Sequence, residues 1–534
     1  MIFFLLSMIG VVLSDNSISF IVFWELMSVT SFFLVIFEYK KSENIKSGIM
    51  YFIMTHISGL LVMVMFLLIA KFTGSYDFNT IAGCSEQFTS MQKWIILVFS
   101  LLGFGTKAGL VPMHGWLPKA HPAAPSNISA LMSGIMLKIA VYGFIRTTFI
   151  FMDNISVYYG VLIMVIGTVT AIYSVVNSLF QNDIKKLLAY SSTENIGLIF
   201  STLGLALILR SLNLESLSLL TLTAALFHAL NHAVFKSLLF MSAGSVIVAT
   251  STRNMNELGG LYKKMRFAGI CAFVGTAAIA AIPPLNGFAG EVLIFSNFIQ
   301  AVPNLNSPAI SMAIIFCGIS LALTSGGVIW ASVKSFGITF LGEPRSLKAV
   351  NVKKIPTSMN MGMAILAADT VILGVLSPFV INFIYKGILN TQYRNIVGYE
   401  ITIISALLIL VTLFIYTLTK VFLNENKVQI KETWGCGFNN KSYFQYSPDG
   451  FVQPGLKFMG NAISYRKEVN IKETIYLKGK IKDLVELNIY IRIIKAVNYI
   501  ASRIIKIHYG KIQIYVSYIF IALIISILFV VKFV

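Results

Sequence analysis

GFGTKAGLVPMHGWLPKAHPAAPSNISALMSGIMLKIAVYGFIR, residues 103–146, decides how the rest of the chain is read. Two lysines, Lys107 and Lys138, stand inside apolar runs, where a charge is expensive. Gly103, Gly105, Gly109, Pro112 and Gly115 interrupt the first run around its lysine. Backbone that leaves the helix inside a bilayer is tolerated only where protein or a watery cavity covers it. A run that is both charged and broken points to a pathway rather than an anchor.

The chain around this stretch is built for a membrane. Of its 534 residues, 57% are apolar and 12% charged, and mean hydropathy is +0.80. Soluble domains carry about a quarter charged residues. Apolar runs fall at 1–14, 16–38, 46–71, 91–117, 126–150, 155–180, 187–209, 216–250, 267–303, 308–340, 361–385, 400–423 and 512–534. The pattern predicts an all-α polytopic membrane protein of about 13 transmembrane helices. The first run is short: at about 1.5 Å per residue it reaches about 21 Å of a hydrocarbon core about 30 Å thick. It has no basic leader or small-residue cleavage site, so it reads as the tail of a helix rather than a signal peptide.

Basic residues sort by loop. The loops after spans 2, 4, 6, 8, 10 and 12 hold Lys40, Lys41, Lys119, Lys185, Lys186, Arg253, Lys263, Arg345 and Lys353, then the basic segment 424–511. Positive loops stay in the cytoplasm. The expectation is a cytoplasmic N-terminus and an external C-terminus. The net charge of +19 is thus a membrane-face signature and not a nucleic-acid footprint. From about Lys467 to Lys506, apolar residues mix with Lys and Arg, which predicts a basic amphipathic helix on the membrane surface or on a neighbouring subunit. Cys84, Cys271, Cys317 and Cys436 form no CxxC pair, so no iron–sulfur cluster, zinc site or other cofactor is expected in this chain.

Further charges accompany the two lysines. Glu25 is the one charge well inside FIVFWELMSVTSFFLVIF. A buried lysine loses stabilisation of its charged form and a nearby carboxylate restores it, so Glu25 and Lys107 make a tunable pair. The alternatives are a packing glutamate and a snorkelling lysine. Ser133 and Gly134 permit close helix approach beside Lys138. ALFHALNHAVFKSLLF sets His228, His232 and Lys236 at i, i+4 and i+8, on one helix face. Titratable groups in a stripe resemble a proton relay. A metal is disfavoured, because Ala229 follows His228 where HExxH needs glutamate and no third ligand is evident. The ninth span is broken by Pro283, Pro284 and Gly287, with Glu291 after the break. Two interrupted helices in corresponding halves point to inverted repeats.

Secondary candidates are weaker. Lys334 ends the tenth span and reads as interfacial. Asp369 is mid-span without a partner by pattern. Glu194, in AYSSTENIGLIF, reads as lying near the cytoplasmic end of the seventh span. His114 and His121, in the broken region and the loop after it, read as water-lining or structural.

The strings WELM, GTKAGLVPMHGWLPKAHPAAPS, MLKIAVYGFIR, HALNHAVFKSLLFMSAGSV and PPLNGFAGE resemble the proton-conducting antiporter-like subunits of respiratory complex I, Mrp-type antiporters and membrane-bound hydrogenases. AHPAAPS, PPLNGF, ENIG at 194–197, FGITFLGEPR at 336–345 and TWGCGF…FQYSPDGFVQP at 433–454 look most like the branch containing formate hydrogenlyase subunit 3 and hydrogenase-4 component B. The resemblance implies two inverted five-helix repeats, each with a discontinuous helix. It also implies a Glu25–Lys107 pair, a bridging Lys138, a His228/His232/Lys236 stripe, a terminal Glu291 and a lateral helix before the last span. On this basis 1–15 is a partial first helix, 16–180 and 181–340 are the two repeats, and 341–423 holds two further spans. Segment 424–511 is the lateral one and 512–534 the last span. Family members usually carry three more helices ahead of the first run; a misassigned start, a naturally short chain or a separate chain would each account for the difference. The implied activity is proton translocation in the cell membrane, coupled to redox chemistry in partner subunits such as a nickel–iron hydrogenase arm, with no catalytic residue in this chain. The rival functions are an Mrp-type Na⁺/H⁺ antiporter component, an antiporter-like subunit of NADH–quinone oxidoreductase and a structural anchor.

Overall fold

The computed structural model describes residues 1–388, 399–422, 445–459, 464–471, 475–505, 516–521 and 523–524. It divides into two compact units, Met1–Met459 and Gly460–Val534.

The first unit is helical. Its main helices are α1 (Ile2–Leu13), α2 (Ser17–Val35), α3 (Ser42–Thr73), α4 (Ser90–Ala108), α5 (Leu117–Ala123), α6 (Ser126–Ile150), α7 (Val157–Leu179), α8 (Ile184–Ser211), α9 (Glu215–Thr250), α10 (Arg266–Ile279), α11 (Asn286–Ala301), α12 (Pro308–Phe340), α13 (Thr357–Val375), α14 (Ser377–Phe383), α15 (Tyr399–Phe422) and α16 (Pro448–Met459). Nine helices among the described residues are long and apolar enough to cross a membrane. Of the other four expected spans, α1 is short, two are broken, and 512–534 lies mostly outside the described residues. Residues 423–444, with the TWGCGF string and Cys436, also lie outside them.

Local chemistry sets the helix ends. The Asn16 side chain accepts from the Ser19 N–H at 2.8 Å and starts α2. Thr89 and Gln92 form a capping box at the start of α4. Asp183 accepts from Lys185 and Lys186 N–H at the start of α8. The first break falls directly after Lys107: Gly109 ends α4 at φ +89°, which a side-chain-bearing residue rarely adopts. The chain turns through 110–116 before α5. The second break separates α10 from α11 through Pro283 and Pro284. Each break contains a cis X–Pro peptide.

Helix α8 is the axis of the unit, buried along its whole apolar window. Small residues seat it against α7. A Cβ on Gly167 or Gly197 would run into the backbone of the other helix, so the two backbones meet directly. Around α2–α4 the packing is aromatic instead: Phe20, Trp24, Phe66, Phe78 and Phe104 stack or meet edge to face at 5.3–6.2 Å.

The loops segregate to two ends. Segments following the second, fourth, sixth, eighth and tenth expected spans surround one cavity of about 1090 Å³. At the other end, Asp153 joins Arg210, Ser85 and Lys93 from alternate loops.

The second unit corrects the amphipathic-helix expectation. Ser464–Ile471 (β1) and Ile475–Lys482 (β2) form an antiparallel hairpin, with Ser464 opposite Lys482 and Ile471 opposite Ile475. The alternation of apolar and charged residues in SYRKEVNI suits a strand's period of two better than a helix. Among the described residues, the helical part of the segment runs from a π-helical turn at Glu486–Tyr490 into α17, Ile491–Ile505. Apart from this hairpin, the described residues are helical or irregular.

Candidate functional site

The site has a front group on α2–α4, a middle group around α8 and an end group on α11–α12. At the front, Lys107 lies in the last turn of α4 with no solvent exposure. Its ammonium donates to Ser28 Oγ at 2.9 Å and sits 5.6 Å from the Tyr51 ring and 5.8 Å from the Trp24 ring. Cation–π contact partly replaces the lost water. Ser28 in turn donates to the Trp24 carbonyl at 3.1 Å.

Glu25 is one helical turn from Ser28, but its closest polar contact is with His56 and not with Lys107. Its Oε2 lies 2.9 Å from His56 Nδ1 of α3, while Lys107 remains within electrostatic reach. The Glu25 and His56 side chains are 29% and 47% exposed, so the pair looks outward from the chain. Gly59 makes room for the carboxylate; a Cβ there would collide with it.

The middle group is a polar thread. The backbone of α6 widens into a π-helical turn at Met132–Met136. Such turns loosen the hydrogen-bond ladder and recur at functional sites. Lys138 uses it, donating to the Ser133 carbonyl at 2.7 Å. Ser133 Oγ meets Ser192 Oγ of α8 at 2.8 Å. Ser192 donates to the Leu188 carbonyl at 2.9 Å, and Lys236 of α9 donates to that same carbonyl at 3.2 Å and to Ser191 Oγ. Asn195 Nδ2 donates to the Ser191 carbonyl at 3.0 Å and to Glu194 Oε2 at 2.5 Å. Asn195 Oδ1 lies 3.1 Å from His228 Nε2. These hydrogen bonds link Lys138 to His228 residue by residue, the path changing between hydroxyl and backbone carbonyl at Ser133 and at Ser191. His232 is fully buried between them, with neither ring nitrogen hydrogen-bonded.

The end group follows closely. Gly290 of α11 packs on His228, where a Cβ would lie 2.7 Å from Nδ1. The next residue, Glu291, accepts from Ser325 Oγ of α12 at 2.8 Å. Glu194 and Glu291 lie close enough to feel each other's charge.

The other candidates divide. Glu194, expected near the end of its span, is buried well inside α8 and belongs to the thread. Lys334 is buried and caps a helix: it donates to the Leu179 and Gln181 carbonyls, both at 2.8 Å, at the C-terminus of α7. That accounts for its position structurally. His114 is buried, edge to face with Tyr173 at 5.2 Å. Asp369, half-buried on α13, joins none of these groups. Among the described residues, no three His, Cys, Asp or Glu side chains gather where a metal would bind.

Sequence reasoning missed His56, Ser191 and Asn195. His56 left a signal: it is the only Lys, Arg, His, Asp or Glu between Lys46 and Lys71. Asn195 stood in the ENIG string, unremarked. Ser191 left none, since serine is ordinary in a membrane helix.

Buried titratable groups among hydroxyls, amides and carbonyls, beside two broken helices, are features shared with ion-translocating membrane proteins. Residues 14–317 match the model of the "NADH:quinone oxidoreductase/Mrp antiporter, TM" family, and the chain belongs to that family. It is 35% identical to hydrogenase-4 component B of Escherichia coli (strain K12), over 84% of this chain and 69% of that protein. It is 31% identical to formate hydrogenlyase subunit 3 of the same organism, over 86% and 74%. Among solved structures, a chain of the membrane-bound sulfane sulfur reductase, an archaeal respiratory membrane complex, superposes with a TM-score of 0.79 at 26% identity, covering 98% of this chain and 82% of that one.

Proposed function

We propose that this chain is the proton-translocating membrane subunit of a hydrogenase- or formate-hydrogenlyase-type complex. The observation that carries the reading is the set of hydrogen bonds that links buried Lys138, Lys236 and His228 residue by residue, with Glu291 following Gly290, which packs on His228. Redox chemistry belongs to partner subunits, including a nickel–iron hydrogenase arm. The two interrupted helices mark two inverted repeats, and the even-numbered loops face the cytoplasm.

In this mechanism a neighbouring subunit acts on the outward-looking Glu25–His56 pair. Strengthening that pair withdraws the carboxylate from Lys107 and favours the neutral amine there; weakening it does the reverse. A charge appearing or vanishing on Lys107 biases Lys138. The proton held by the Lys138–Lys236 centre then passes by His228 and His232 toward Glu291. Every step moves a proton between nitrogen or oxygen atoms, directly or through water, and no electron moves in this chain.

Mild-detergent purification of the tagged chain tests the assignment. Co-purification of a nickel–iron hydrogenase pair is expected, and its repeated absence contradicts it. The second reading, a Na⁺/H⁺ antiporter component, is favoured by the Mrp members of the family. It predicts gradient-driven Na⁺/H⁺ exchange in vesicles that contain no hydrogenase.

A further inference from the structure

One buried histidine is used by none of these steps. His121 lies in α5, just past the first helix break, with no solvent exposure. Its ring is sandwiched between Trp116, at 6.3 Å, and Phe240, at 5.2 Å, both nearly parallel to it. Neither ring nitrogen makes a close hydrogen bond, the Ser129 backbone being the one polar group within weaker reach. A buried imidazole so poorly satisfied is costly, which a purely packing residue would avoid by being phenylalanine.

Its location gives the nitrogens a use. The three residues after His121, Pro122, Ala123 and Ala124, form part of the wall of the 1090 Å³ cavity at the even-loop end. Lys185 lines the same cavity at the start of α8 and donates to the Ala124 carbonyl. Arg253 holds the wall too, donating to the Pro122 carbonyl at 2.7 Å and pairing with Asp183 at 2.6 Å. His121 is within electrostatic reach of Lys185, Lys236 and Lys138. The imidazole therefore stands one residue behind the cavity wall and within electrostatic reach of two lysines of the polar thread.

We infer that His121 is the proton-transfer residue connecting the even-loop cavity with the Lys138–Lys236 centre. The inference rests on the proton-transport reading above and adds its point of access. A proton taken from cavity water by one ring nitrogen gives the imidazolium. Loss of the proton from the other nitrogen to a neutral lysine amine gives an ammonium and returns the ring as its other tautomer. The stacked aromatic walls fix the ring plane, so the two nitrogens keep facing opposite sides. Lys185 and Arg253 are positioning residues that hold the wall; neither needs to titrate.

The test uses the assembled complex in sealed native-membrane vesicles with trapped pyranine, under an imposed potassium diffusion potential, with chain levels matched by immunoblot. His121→Phe keeps the aromatic stack and removes both nitrogens; proton flux should fall about tenfold. In His121→Ala, added imidazole should restore at least about half of the lost flux, because it refills the vacated space with the missing acid–base group. Wild-type flux in His121→Phe, with Lys236→Ala inactive, overturns the inference and leaves the transport reading standing. Wild-type flux in Lys236→Ala sinks the transport reading itself. If His121→Phe does not accumulate, the imidazole response of His121→Ala decides: no restoration means the ring only packs.

Discussion

The front and middle groups handle buried charge in opposite ways. At the front, Lys107 has one hydroxyl and two aromatic faces, and Glu25 shares its charge with a histidine that looks out of the chain. In the middle, Lys138, Lys236, Glu194 and His228 share serines, an asparagine and backbone carbonyls in one enclosed network. A sparsely held charge responds strongly to a new neighbour, since little else competes for it. A densely bonded one is buffered, and its network offers a proton many nearby sites. The contrast supports the division of labour proposed above, in which the front senses and the middle conducts.

Four substitutions break or sharpen that contrast. The largest effect is expected in the middle group, where Lys236→Ala removes the group shared by Leu188 and Ser191 and should lower proton flux about a hundredfold. Glu25 comes next. Glu25→Gln leaves its volume but no charge, and redox-coupled flux in vesicles should drop about tenfold, while flux under an imposed potential changes less. A smaller loss, about fivefold, is expected for Asn195→Ala, which severs His228 from the thread without removing a titratable group. A flux as low as that of Lys236→Ala would show that the amide itself is indispensable.

The smallest effect lies outside the membrane. Lys348 donates to Glu257 at 2.8 Å, and that hydrogen bond chiefly holds the Glu257 carboxyl below the usual carboxylate range. A carboxyl depressed in the folded state stabilises at pH above its unfolded value, and that contribution is lost as pH falls through the depressed value. The pair is well exposed, so Glu257→Gln should cost less than about 1 kcal/mol, read as slightly faster protease cleavage of the 251–265 loop near neutral pH. The difference from wild type should vanish in acid.

Local pattern made much of this legible. Glycine and proline spacing located both helix breaks, and the i, i+4, i+8 arithmetic placed His228, His232 and Lys236 on one face of α9. What it could not supply was partnership between elements distant in sequence. Glu25 was matched with Lys107 because both were conspicuous charges, yet the contact belongs to His56, an isolated histidine in a run otherwise without charge. Lys334 read as interfacial from its place at the end of a span, whereas it is buried on the carbonyls of Leu179 and Gln181. Depth was equally hidden: Glu194 lies deep because α8 is enclosed by other helices, and hydropathy alone does not distinguish an enclosed helix from one facing lipid. The hairpin at 464–482 was masked by the apolar and basic composition it shares with the amphipathic helix that follows.

The central claim is that the thread around α8, and not buried charge in general, carries the proton. The direct measurement compares proton flux for Lys236→Ala and Asp369→Asn in sealed vesicles of the assembled complex at matched chain levels. Both remove one charge from a membrane helix, but only Lys236 belongs to the thread. The account predicts that Lys236→Ala loses about a hundredfold while Asp369→Asn stays within about twofold of wild type. Equal flux in the two variants, whether both intact or both lost, would contradict it.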